Sequence, residues 1–114
     1  MKNFRYALQG FLTALRTEKN LRFHIAMSVL VISAGFFTGV STAEWMILIL
    51  CMTSVISMEL LNTALEYLCN VVQPDHHPFI KNVKDIAAAA VLITAIASIA
   101  CGLIIFIPKF FPYF

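Results

Sequence analysis

Glu59, Asn62 and Glu66 stand at i, i+3 and i+7 inside an otherwise apolar stretch. At about 100° per residue they fall within an arc of roughly 60° on one helix face. An ionised carboxylate in hydrocarbon costs several kcal/mol, so acids at such positions are functional candidates. Counting back from Gln73, Glu66 lies about 10 Å inward along a helix, and Glu59 about 10 Å deeper. Glu66 then sits at headgroup level, where water and ions reach, and Glu59 near the top of the acyl region. This geometry suits chemistry between a water-soluble reagent and a lipid headgroup. The structural alternative is polar glue between helices. Glue usually needs one uncharged residue, and two carboxylates with an amide exceed that need.

More ionisable residues belong to the same level. Glu18 and Arg22 are spaced i, i+4, as are Lys81 and Asp85. Alone, each would be an ordinary helix ion pair worth about 0.2–0.5 kcal/mol. Lys84 stands beside Asp85. Together they offer carboxylates for a divalent cation and a lysine for phosphate. The four glycines, Gly10, Gly35, Gly39 and Gly102, are isolated, so neither a P-loop nor a glycine-rich kinase loop can be built. If ATP is used, side chains and a metal must hold its phosphates. Magnesium needs only one or two carboxylates plus phosphate oxygens. His76 and His77 read as a solvated loop, and His24 as an interfacial residue. Cys51, Cys69 and Cys101 lack metal spacing, and their odd count argues against a disulfide framework.

The elements that must carry these residues are membrane helices. The chain has 114 residues, 61% hydrophobic and 12% charged, against about 45–50% and about 25% for an ordinary soluble domain. One domain is all this length allows. Residues 3–19 read as an amphipathic helix: Phe4, Ala7, Leu8, Phe11, Leu12 and Leu15 form one stripe, with Arg5, Arg16 and Lys19 largely elsewhere on the wheel. Such a helix suits the plane of an anionic membrane surface better than nucleic acid. Apolar runs follow over 24–41, 45–72 and 86–107, the first and last near the ~20 residues that cross a bilayer and the second long enough to span and project into the interface. The last opens on alanines at 87–90, which permit close helix approach. Nothing resembles a cleavable signal peptide. The loop at 38–42 carries no Lys or Arg, whereas Lys81 and Lys84 follow the loop at 73–78. The positive-inside rule then places the amino terminus and the second loop in the cytoplasm. The carboxyl terminus, with its aromatic tail at 108–114, lies outside.

Glu59-Leu60-Leu61-Asn62-Thr63-Ala64-Leu65-Glu66 resembles the signature E-x-x-N-[ST]-A-[LIV]-E of the small prokaryotic diacylglycerol kinase family. Lys84-Asp85 followed by small residues is similar to its second motif. Glu18-Lys19-Asn20-Leu21-Arg22-Phe23-His24 is similar to a third. The likeness covers essentially the whole chain. The form E-x-N-x-R-x-H and the His76-His77-Pro78 loop look like the Gram-positive branch, whose substrate is undecaprenol. The resemblance implies an all-α bacterial cell-membrane protein, a homotrimer with sites between subunits, and ATP with Mg2+. By position it implies Glu59 as general base for the lipid hydroxyl, supported by Asn62, with Glu66 and Glu18 on magnesium. Lys84, oriented by Asp85, would meet the nucleotide phosphates, with Tyr6, Asp75 and His77 near the nucleotide and Arg22 near the lipid. The aspartate that follows the signature by four residues in the family is Asn70 here.

The expected activity is phosphorylation of a membrane lipid alcohol, undecaprenol or, alternatively, diacylglycerol. A proton- or cation-coupled transporter would explain Glu59 but not Glu66, Glu18 and Lys84 at one level. A holin-like scaffold would need no intramembrane acids.

Overall fold

The computed structural model describes residues 2–112 as four helices. They are α1 (Lys2–Thr17), α2 (Lys19–Thr38), α3 (Thr42–Val72) and α4 (Pro78–Phe110). Tyr113 and Phe114, the end of the expected aromatic tail, lie outside the described residues. The last three helices are long and apolar enough to cross a membrane. With 31 and 33 residues, α3 and α4 run about 46 and 50 Å, well beyond a hydrocarbon core of about 30 Å. Their excess turns extend past such a core, and Glu66, Lys81, Lys84 and Asp85 lie on the turns that flank the α3–α4 loop.

α3 is the central element. It packs most extensively on α4, then on α2, and lightly on α1. The burial pattern fits a lipid solvent: Leu92, Ile93, Ile96, Ile99, Leu103 and Ile104 of α4 all face outward. The buried apolar cluster is small, with Val40, Leu48 and Ile105 at its centre.

Local chemistry sets the boundaries. α2 ends at Gly39, whose φ of 71° is the left-handed conformation glycine accepts without strain, and its N–H donates to Gly35 O. α3 opens with a capping box. Glu44 N donates to Ser41 Oγ at 3.2 Å, and Ser41 N donates to Glu44 Oε1 at 2.9 Å. Lys109, in the last turn of α4, pairs with the same Glu44 at 3.0 Å, tying the far ends of α3 and α4 together. His77 caps α4, its Nδ1 accepting from Phe79 N at 3.2 Å, with Pro78 in the first turn. α4 therefore starts eight residues before the apolar run at 86.

The amino-terminal helix stops at Thr17, and the extended backbone of Glu18 separates it from α2. Arg22 does not turn to Glu18. Its Nη1 donates to Leu15 O and Arg16 O, both at 2.9 Å, placing a cation on the unsatisfied carbonyls at the end of α1. Thr17 Oγ1 and Tyr67 OH share a hydrogen bond of 2.6 Å, which pins that end of α1 to α3.

Candidate functional site

α3 presents a line of polar side chains that climbs from the buried middle of the molecule toward the α3–α4 loop. Glu59 is the deepest, with a side chain only 4% exposed. Its backbone carbonyl accepts from Thr63 Oγ1 at 2.9 Å. One turn on, Asn62 is buried, and its Nδ2 donates to Glu66 Oε1 at 3.1 Å. The Oδ1 of Asn62 is buried without a hydrogen-bond partner. A buried acceptor left open in this way is costly unless something outside the chain satisfies it. Glu66 is half-buried. Another turn on, Asn70 Oδ1 accepts from Lys84 Nζ of α4 at 2.8 Å. At about 100° per residue, Glu59, Asn62, Glu66 and Asn70 share an arc of roughly 80°.

Two neighbouring helices complete the deep end. His24 of α2 places Nε2 3.6 Å from Glu59 Oε2. Glu18 stands at the α1–α2 break, six residues before His24. Between α1 and α3 runs an apolar groove of about 420 Å³, lined by Gly10, Phe11, Ala14, Leu60, Thr63 and Ala64 among others. At the shallow end a second cavity, of about 260 Å³, is lined by Asp75, His76, His77, Lys81 and Lys84 with their loop neighbours.

The sequence-predicted residues thus divide into groups. Glu59, Asn62 and Glu66 follow one another up one face of α3, Glu18 stands at the α1–α2 break, and Asp75, His77 and Lys84 line the loop cavity. Asp85 pairs with Lys81 at 2.7 Å, so it is Asn70, not Asp85, that orients Lys84. Arg22 is committed to the end of α1. Tyr6 is exposed on α1. His24, read from sequence as interfacial, sits against the buried carboxylate. Its place in the E-x-N-x-R-x-H stretch, six residues after Glu18, is the sequence signal for it. Among the described residues no three His, Cys, Asp or Glu side chains converge as a metal cage. The donors present, Glu66, Glu18 and the open Oδ1 of Asn62, are all hard oxygens. They fit a cation that takes most of its ligands from phosphate and water.

A long three-helix membrane hairpin with paired carboxylates on its central helix defines a class. Residues 5–106 match the family model described as prokaryotic diacylglycerol kinase, and the chain belongs to that family. It is 43% identical to the undecaprenol kinase of Bacillus subtilis over 95% of this chain and 88% of the relative. It is 37% identical to a diacylglycerol kinase of Synechocystis over 93% of this chain and 61% of the relative. It is 36% identical to a diacylglycerol kinase of Pseudomonas aeruginosa over 75% and 69%.

Proposed function

We propose that this chain is a membrane lipid kinase that transfers the γ-phosphoryl group of ATP to the hydroxyl of undecaprenol, giving undecaprenyl phosphate. The observation that carries this reading is the buried carboxylate of Glu59, about 10 Å below Glu66 on the same face of α3. A lipid alcohol reaches the deeper group from within the membrane, and a nucleotide reaches the shallower one from water. Confinement of the lipid to the membrane plane removes much of the cost of the encounter.

Glu59 accepts the proton of the attacking hydroxyl, and Asn62 holds Glu66 in place. The apolar α1–α3 groove beside Leu60 and Thr63 gives the lipid chain a path to Glu59. Lys84, held by Asn70, meets the nucleotide phosphates, and the loop cavity with Asp75 and His77 receives the rest of the nucleotide. Glu66 and Glu18 would hold Mg2+, which when bound neutralises phosphate charge. Phosphoryl transfer asks mainly for positioning and charge neutralisation, and a few side chains at one interface supply both. Three copies form the working unit, with the amino terminus and the α3–α4 loop in the cytoplasm.

Diacylglycerol is the second reading, favoured by the Synechocystis and Pseudomonas relatives. Undecaprenol is preferred because of the higher identity to the Bacillus subtilis enzyme. A transporter using Glu59 would leave the Asn62–Glu66 and Lys84–Asn70 pairs without a task. Purified protein in vesicles, given ATP, Mg2+ and either lipid, tests the proposal through kcat/KM for each. A higher value for diacylglycerol would reverse the choice of lipid, and no phosphorylation of either would remove the kinase reading.

A further inference from the structure

The buried base raises a problem of proton exit. Once Glu59 has taken a proton it must release it before the next turnover, yet its side chain is only 4% exposed. Val55 on one side and Asn62 and Thr63 on the other are buried as well. Bulk water therefore has little direct access to the carboxyl. One titratable side chain bridges the gap. His24 Nε2 stands 3.6 Å from Glu59 Oε2, and its side chain is 20% exposed.

We propose that His24 is the proton relay for Glu59, a role that rests on the kinase reading above. As the lipid O–H bond breaks, its proton passes to Glu59 while the lipid oxygen bonds to the γ-phosphorus and the bond to the departing ADP breaks. Glu59 then hands the proton to Nε2 of neutral His24, and the imidazolium releases a proton to water from the exposed side of the ring. No electron changes hands and the proton count closes. Imidazole suits this work because one ring nitrogen can accept while the other is a donor. A separation slightly beyond hydrogen-bond length is ordinary for such a pair without substrate, since these contacts tighten in the reacting complex.

The imidazolium formed in this step would stand 3.6 Å from the Glu59 carboxylate that has just given up its proton. Glu18 at the α1–α2 break and Glu66 on α3 are the other acids of the proposed site. The histidine is also held in place. Ser28 Oγ donates to His24 O at 2.9 Å, and Phe23 meets its ring edge-on with centroids 5.8 Å apart.

The test uses the full chain in vesicles with ATP and undecaprenol, comparing wild type, His24→Gln, His24→Ala and Glu59→Gln across pH, with and without free imidazole. The relay requires kcat to fall about tenfold or more in both His24 variants, with KM for ATP within about twofold of wild type. The pH dependence of kcat differs between wild type and His24→Gln, because the variant keeps Glu59 but has no second proton acceptor beside it. Added imidazole raises kcat of His24→Ala but not of Glu59→Gln. Wild-type turnover in His24→Gln overturns the relay and leaves the kinase reading standing. A loss that imidazole does not rescue, with the pH profile unchanged, overturns it as well and makes His24 a packing residue. A wild-type chain that phosphorylates no lipid alcohol removes both readings together.

Discussion

Glu59 and Glu66 are the same amino acid on the same helix, seven residues apart, and their surroundings give them different work. Glu66 is half-buried and takes a hydrogen bond from Asn62 at 3.1 Å, which leaves an oxygen free toward water and ions. Glu59 is buried against His24. Replacing Glu59 with Gln keeps the shape and removes the base. Turnover should fall by about 10²–10⁴-fold, while nucleotide binding, measured by titration of the purified variant, stays near wild type. Near-normal turnover in Glu59→Gln would sink the assignment. Asn70 is a second residue whose chemistry can be tested singly. Its amide oxygen holds Lys84 at 2.8 Å, and the amide adds no negative charge beside the lysine proposed to meet phosphate. Asn70→Asp restores the family's carboxylate at the same place. On the proposed assignment, Glu66 and Glu18 would supply the few protein ligands magnesium needs beside the ATP phosphates. The magnesium dependence should therefore change by less than about tenfold, equivalent to about 1.4 kcal/mol. Activity confined to the Asp variant would mark this chain as an impaired member of its family.

At the level of helices, the contacts that decide the architecture lie at the ends. Gly35 of α2 is buried under Trp45 of α3, and a Cβ there would come within 2.6 Å of the indole ring. Phe36 braces that ring, with centroids 4.9 Å apart, so the indole has little room to yield. Gly35→Ala should cost about 1–3 kcal/mol through overpacking. The cost would be read as a lower Tm of the detergent-solubilised protein. Because Gly35 lies at the end of α2 remote from Glu59, kcat of the folded fraction should stay within about twofold of wild type. Such helix-end contacts mark the limit of what the sequence discloses. The polar face of α3 was legible because one helix's period alone aligns Glu59, Asn62 and Glu66. The break at Glu18 was not, since no glycine or proline interrupts the stripe that runs on past Thr17. Arg22 read as an i, i+4 partner of Glu18, but the chain turns there and the carbonyls ending α1 become nearer partners. His24 and Glu59 meet only because α2 packs on α3, and no spacing within one helix encodes that.

Across the whole molecule, charge is divided unevenly between the two ends of the helices. Of the eight Lys and Arg, all but Lys109 belong to α1, the start of α2 or the start of α4. The start of α2 lies beside the end of α3, because Arg22 holds the end of α1 and Thr17 shares a hydrogen bond with Tyr67. Arg16, Lys19, Arg22, Lys81 and Lys84 therefore collect at one end of the hairpin, together with the α3–α4 loop. Lys109 is the exception, and the structure accounts for it: its ammonium is paired with Glu44 at 3.0 Å, so the far end carries little unbalanced positive charge. In the orientation proposed above, which follows the positive-inside rule, the crowded end faces the cytoplasm. That end is also where a cytoplasmic nucleotide would have to bind, so orientation and proposed activity make the same demand. Single cysteines introduced at Asn3 and at Tyr113, in a chain whose Cys51, Cys69 and Cys101 are replaced by Ser, test this with a membrane-impermeant thiol reagent on intact cells. Position 113 should react from outside and position 3 only after the membrane is opened. Reaction of both from the same side would mean an even number of crossings, and one of the three long helices would then not span the bilayer.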